Sequence, residues 1–207
     1  MSNRIGQVAP GHDQAAFTAR VTHAKAVSRN DGDLVFDIVA TIGGRKVTIG
    51  ESSKFQSNEP IVVVSQNQQK VFYTTASEGY GYENEGEGIQ AYDTHTGKTS
   101  TILKEYFMID DVKEVKHGDR SFLLVGMSDG GEGASHCAIV DVERGEVYSQ
   151  DHAVIMTSDK DSVRIAVYGD GEMFDEEGFI KPPPKTIEVK FADLRKAKVI
   201  TNEPDWC

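Results

Sequence analysis

Three short stretches of this 207-residue chain repeat one pattern. They read Tyr92-Asp93-Thr94-His95-Thr96-Gly97-Lys98, Val140-Asp141-Val142-Glu143-Arg144-Gly145-Glu146 and Phe191-Ala192-Asp193-Leu194-Arg195-Lys196-Ala197-Lys198. Their aspartates stand 48 and then 52 residues apart. That period is the size of one four-stranded antiparallel sheet, so the chain is expected to be built from copies of a sheet. Within each copy, Asp caps a tight turn with its side chain, and a Gly four positions on takes positive φ at no steric cost. In the third copy Ala197 replaces that Gly, so its turn must differ.

The strand pattern around these turns fills out the period. Apolar alternation and turn residues predict a unit at 60–65, 70–75, 88–93 and 98–103, a second at 107–115, 120–127, 136–141 and 146–149, and a third at 152–157, 163–168, 186–192 and 197–201. Ahead of these lies a unit with only three strands, at 19–27, 34–42 and 45–49, with Asn30-Asp31-Gly32-Asp33 as a turn signal. No window keeps a 3.6-residue apolar pattern with caps, so no helix is expected. Residues 1–16 carry Gly6, Pro10 and Gly11 without periodicity and read as a tail. Residues 17–207 read as one β domain.

The run Tyr92 to Lys98 resembles the repeat of the β-propeller superfamily, whose blades often end their third strand in this way. The resemblance covers roughly residues 60–201 and is one of fold. It implies an all-β, small propeller-like array of about four antiparallel sheets; a β-sandwich or meander is the alternative. The better-marked propeller families are not matched: the only Trp is Trp206, and no double glycine recurs at a repeating place.

Charge narrows the partners. Against 22 Lys and Arg stand 33 Asp and Glu, a formal charge of −11. Such a balance disfavours nucleic acid and anionic membrane surfaces, where phosphate must be neutralised. It suits a basic protein partner. Two cysteines, Cys137 and Cys207, are too few for a disulfide scaffold or a thiolate zinc site. The first twenty residues lack the apolar core of a signal peptide, so a cytoplasmic location is expected; a periplasmic or secreted one is the alternative if a signal has been removed.

The excess charge is concentrated. In each of the last three units a long acidic loop joins the second strand to the third: Ser77–Glu87, Ser128–Ser135 and Gly169–Lys185. They hold Glu78, Glu83, Glu85, Glu87, Asp129, Glu132, Asp170, Glu172, Asp175, Glu176 and Glu177, eleven carboxylates that match the entire net charge. Connections at the same place in each unit should emerge on one face. Tyr80, Tyr82, Phe174 and Phe179 lie among the carboxylates and are candidate binding anchors. The candidate binding residues are therefore Tyr80, Tyr82, Glu83, Glu85, Glu87, Asp129, Glu132, Asp170, Glu172 and Phe174.

Catalytic motifs fail one by one. Gly79-Tyr80-Gly81-Tyr82-Glu83-Asn84 lacks the third glycine and the helix of a dinucleotide fingerprint. Gly133-Ala134-Ser135-His136-Cys137 is loop-to-strand, where a nucleophile elbow needs strand-to-helix. His136 and Cys137 are neighbours on a strand, so they point to opposite faces, and Cys137 is expected in the core. Asp170 to Gly178 departs from the EF-hand pattern at Phe174 and Asp175. No catalytic residue, metal ligand set or cofactor is assigned.

The functional expectation is thus a non-catalytic protein-binding domain, docking a basic partner through its acidic loops in the manner of an inhibitor or immunity protein. The alternatives are a carbohydrate-active hydrolase or lyase using loop carboxylates, and a calcium-stabilised binding domain.

Overall fold

The computed structural model describes residues 18–23, 34–42, 44–54, 59–76, 87–104, 107–128, 135–169, 173, 181–195 and 198–201. Among them every regular element is a strand. The first sheet has β1 (Thr18–His23), β2 (Leu34–Ile42) and β3 (Arg45–Lys54). The second has β4 (Val62–Val64), β5 (Lys70–Ala76), β6 (Glu87–Asp93) and β7 (Thr99–Lys104). The third has β8 (Met108–His117), β9 (Arg120–Ser128), β10 (Ser135–Asp141) and β11 (Glu146–Gln150). The fourth has β12 (Ala153–Ser158), β13 (Ser162–Val167), β14 (Lys185–Lys190) and β15 (Lys198–Thr201).

Each sheet is an antiparallel meander in chain order. The sequence periodicity therefore marked true repeats, with strand ends in the last three sheets shifted by at most two residues; in the first sheet β3 runs to Lys54, five residues past the expected end. The three aspartates occupy equivalent turns. Asp93 Oδ1 accepts from the amides of His95 and Thr96, Asp141 Oδ1 from those of Glu143 and Arg144, and Asp193 Oδ1 from that of Arg195. Gly97 and Gly145 close the first two turns at φ 69° and 65°, donating to the carbonyls of Asp93 and Asp141. Those amides hold Asp93 below the usual carboxylate value, the bond from Thr96 most of all.

The sheets pack face to face in order, and three apolar clusters mark the seams. Ile38, Ala40 and Ile49 of the first sheet meet Val71, Tyr73 and Tyr92 of the second. The other face of the second sheet, with Phe72, Ile89 and Leu103, meets Leu123, Val125 and Val140 of the third. On the far side of the third, Phe122, Leu124 and Ile139 meet Val163, Ile165 and Ile187 of the fourth. Strand β9 explains how. Its run Phe122-Leu123-Leu124-Val125 is buried throughout because successive side chains enter different seams. Each such side chain contributes about 1.5–3 kcal/mol by leaving water.

Polar ties fix the sheets in a common orientation. At the edge formed by the first-to-second-strand turns, the Gln66 amide of the second sheet donates to Glu114 Oε2 of the third at 2.7 Å. His117 Nδ1 of the third lies 2.9 Å from the Lys160 carbonyl of the fourth. Arg195 of the fourth pairs with Glu146 of the third at 2.9 Å. His117 is partly buried against the rings of Phe122 and Phe191.

Candidate functional site

The opposite edge carries the second-to-third-strand connections. Each leaves from the end of one strand and returns at its paired neighbour: Ala76 to Glu87, Ser128 to Ser135, and Val167 to Lys185. The chain also passes from sheet to sheet at this edge. The Glu87 amide, at the start of β6, donates to the carbonyl of Phe107 just before β8, at 3.1 Å. His136, at the start of β10, lies beside His152, just before β12, with ring centroids 5.7 Å apart. The loop bases of adjacent sheets thus sit side by side.

Most of the expected binding residues fall inside these loops. Tyr80, Tyr82, Glu83, Glu85, Asp129, Glu132, Asp170, Glu172 and Phe174 lie outside the described residues. Of the third loop, Met173 and Lys181 are described: the Lys181 amide donates to the Met173 carbonyl at 2.9 Å, and Tyr168 Oη to the Lys181 carbonyl at 3.3 Å. The returning chain is thereby tied back to its own base before Pro182–Pro184 lead it into β14.

Glu87 is the exception among the expected residues, and its placement corrects the expectation of an exposed loop carboxylate. It is the first residue of β6, 5% exposed, with Oε2 accepting from the Ile109 amide of the next sheet at 2.9 Å. A β-bulge in β8 lies beside that amide. The carboxylate serves the amide across the seam, so it builds the structure and does not face a partner.

Between the loop bases lies a group of side chains gathered around His136. The imidazole of His136, 6% exposed, stacks on Phe107 with centroids 3.5 Å apart and planes 16° from parallel. Its Nδ1 is 3.3 Å from Asp151 Oδ1. His152 adopts φ 50°, the left-handed region that a side chain usually avoids. Phe107, Asp151 and His152 all belong to the connectors between sheets, so their convergence on His136 could be read only once the sheets were stacked. The arrangement pins two connectors under the loops. It does not form a thiol–imidazole dyad: Cys137 belongs to the cluster between the third and fourth sheets, its thiol free and pushed up to about 12, mainly by burial. That agrees with the opposite-face expectation. Cys207 lies outside the described residues.

Among the described residues no three His, Cys, Asp or Glu side chains are grouped as a metal site, and no helix is long and apolar enough to cross a membrane.

Fold and edges together define a β-propeller-like protein. A solved structure agrees: the chain is similar to the β-propeller domain of the Trilobed protease from Pyrococcus furiosus, described as having an open velcro topology. The TM-score is 0.55 at 15% identity, over 89% of this chain and 53% of that one. This chain therefore spans about half the length of that neighbour, and the likeness is one of fold. No protein-family model matches the chain, and no curated protein matches it.

Proposed function

We propose that this protein is a binding module that docks a basic protein partner on the edge carrying the three acidic loops, in the manner of an inhibitor or immunity protein. One observation carries the reading. The three connections that hold the surplus carboxylates start and end on a single edge of the stacked sheets. Loops rooted side by side add their potentials, and summed potential of one sign speeds the capture of an oppositely charged surface. With Glu87 assigned to the seam, the charged set is Glu78, Glu83, Glu85, Asp129, Glu132, Asp170, Glu172, Asp175, Glu176 and Glu177. Tyr82 and Phe174 are the aromatic anchors of this reading.

Kinetics of the isolated partner on immobilised protein test it. Glu83→Gln with Glu85→Gln should slow association several-fold at low salt and leave dissociation nearly unchanged. Tyr82→Ala or Phe174→Ala should do the reverse. The wild-type association rate should fall steeply as salt rises. Charge variants that associate at the wild-type rate would show that the carboxylates serve solubility alone.

A further inference from the structure

We infer that the outer edge of β3 is a contact surface for a second copy of this chain. The inference stands apart from the acidic edge and does not rest on it. In the second, third and fourth sheets the third strand is paired on both sides, with β7, β11 and β15 outermost. The first sheet stops at β3, beyond which no further strand is paired among the described residues; the Ile49 carbonyl accepts from Thr99 Oγ1 of β7 at 3.5 Å. Length singles out this edge. Strands β7, β11 and β15 have 6, 5 and 4 residues, and short edge strands resist pairing with other chains. Strand β3 has 10.

Charge and shape choose the occupant. A β-bulge between Ile38 and Val39 shifts the register, so Lys46 opposes Thr41 while Glu51 opposes Asp37. Both therefore lie on the face turned away from the second sheet, and both are exposed. Two β3 strands laid antiparallel about a two-fold axis at the bulge set Lys46 of each copy opposite Glu51 of the other. Opposite charges placed across a strand pair attract, and two-fold symmetry makes the contact twice. The same register brings Val47 over Gly50 of the other copy. Among the described residues Val47 is one of three exposed large hydrophobics, at 40%. Gly50 itself carries no side chain, because the Tyr73 hydroxyl already fills the space where one would stand.

Sedimentation velocity over a dilution series of the full chain tests this. The wild type should dimerise reversibly. Lys46→Glu sets like charges opposite each other twice and should raise the dissociation constant about tenfold or more. Lys46→Glu combined with Glu51→Lys should restore it to within about threefold. All variants should keep the far-UV spectrum and melting temperature of the wild-type monomer, since both positions are exposed. A wild type that stays monomeric at every concentration overturns the inference, whether β3 is then covered by another part of the chain or by a foreign strand. So does a dimer indifferent to Lys46→Glu, or one that the double exchange fails to restore.

Discussion

The middle sheets and the end sheets of this array solve different problems. The second and third sheets are apolar on both faces. Val71 and Tyr73 enter one seam while Phe72 enters the next, and β9 and β10 divide their side chains in the same way. Among the described residues, the end sheets turn their large buried apolar side chains to one face and their charged ones to the other. In β2, Phe36, Ile38 and Ala40 point inward, while Asp37 and Thr41 take the outer face with Lys46 and Glu51 of β3. In β13, Val163 and Ile165 point inward, and Arg164 stands opposite Glu188 on the outside. Stacked arrays need such polar outer faces to stop growing. Among the described residues no apolar cluster joins the first sheet to the fourth. The difference teaches that, among the described residues, the middle sheets bury both faces while the end sheets bury one and turn charge outward on the other.

Charge placement is the hardest way to break that comparison. Leu123→Lys puts an ammonium into the seam between second and third sheets, where the wild-type residue is fully buried. It should cost about 5 kcal/mol or more and prevent stable folding. Arg164→Leu, on the outer face of the fourth sheet, should change stability by about 0.5 kcal/mol or less. Urea unfolding compares the two directly. A charge tolerated at position 123 would mean that the middle seam is not dry.

The three equivalent turns sharpen it further. Asp141 is fully buried and pairs with Arg120, whose guanidinium lies 4.8 Å from the centre of the Phe122 ring. Asp93 and Asp193 cap their turns at the surface. Asp141→Ala should therefore cost about 2–4 kcal/mol by leaving a half-shielded Arg120 unpaired. Asp93→Ala should cost about 1 kcal/mol, the size of a lost turn cap. Equal losses at the two positions would show that burial at position 141 adds nothing to the cap.

Acid should expose the caps in turn. Amide donors hold both Asp93 and Asp159 below the ordinary 3.8, from Thr96 foremost in the first and from Asp161 in the second. A depressed carboxylate stabilises the folded state above the ordinary value and ceases to as the pH falls through the depressed one. Their contribution should be constant from neutral pH down to about 4 and decline below it. Asp93→Asn with Asp159→Asn should flatten that acid limb in melting temperatures measured against pH. An unchanged limb would assign it to other carboxylates.

The reading of the sequence was fullest where local chemistry and tertiary need coincided. The Asp-to-Gly turns are defined by residues within five positions of one another, so they were legible, and with them the period and the sheets. Strand β9 could be recognised as a strand from Arg120 to Met127, but the division of Phe122 and Leu123 between two seams became visible only from the stacking. Glu87 looked like one more acid at the end of an acidic loop. What places it is the Ile109 amide, 22 residues away, which no local pattern announces. The His136 group was hidden for the same reason, since Phe107, Asp151 and His152 come from two different connectors.

Native-state hydrogen exchange tests the contrast between middle and ends most directly, because it reads the opening free energy of each strand separately. The amides of β9 and β10, bounded by seams on both sides, should exchange only through global unfolding and share one slope with denaturant. Those of β2 in the first sheet and β13 in the fourth should exchange through smaller openings, at lower free energy and with a shallower slope. Equal protection in all four sheets, or the highest protection in an end sheet, would contradict an array whose stability is set by its two-sided middle.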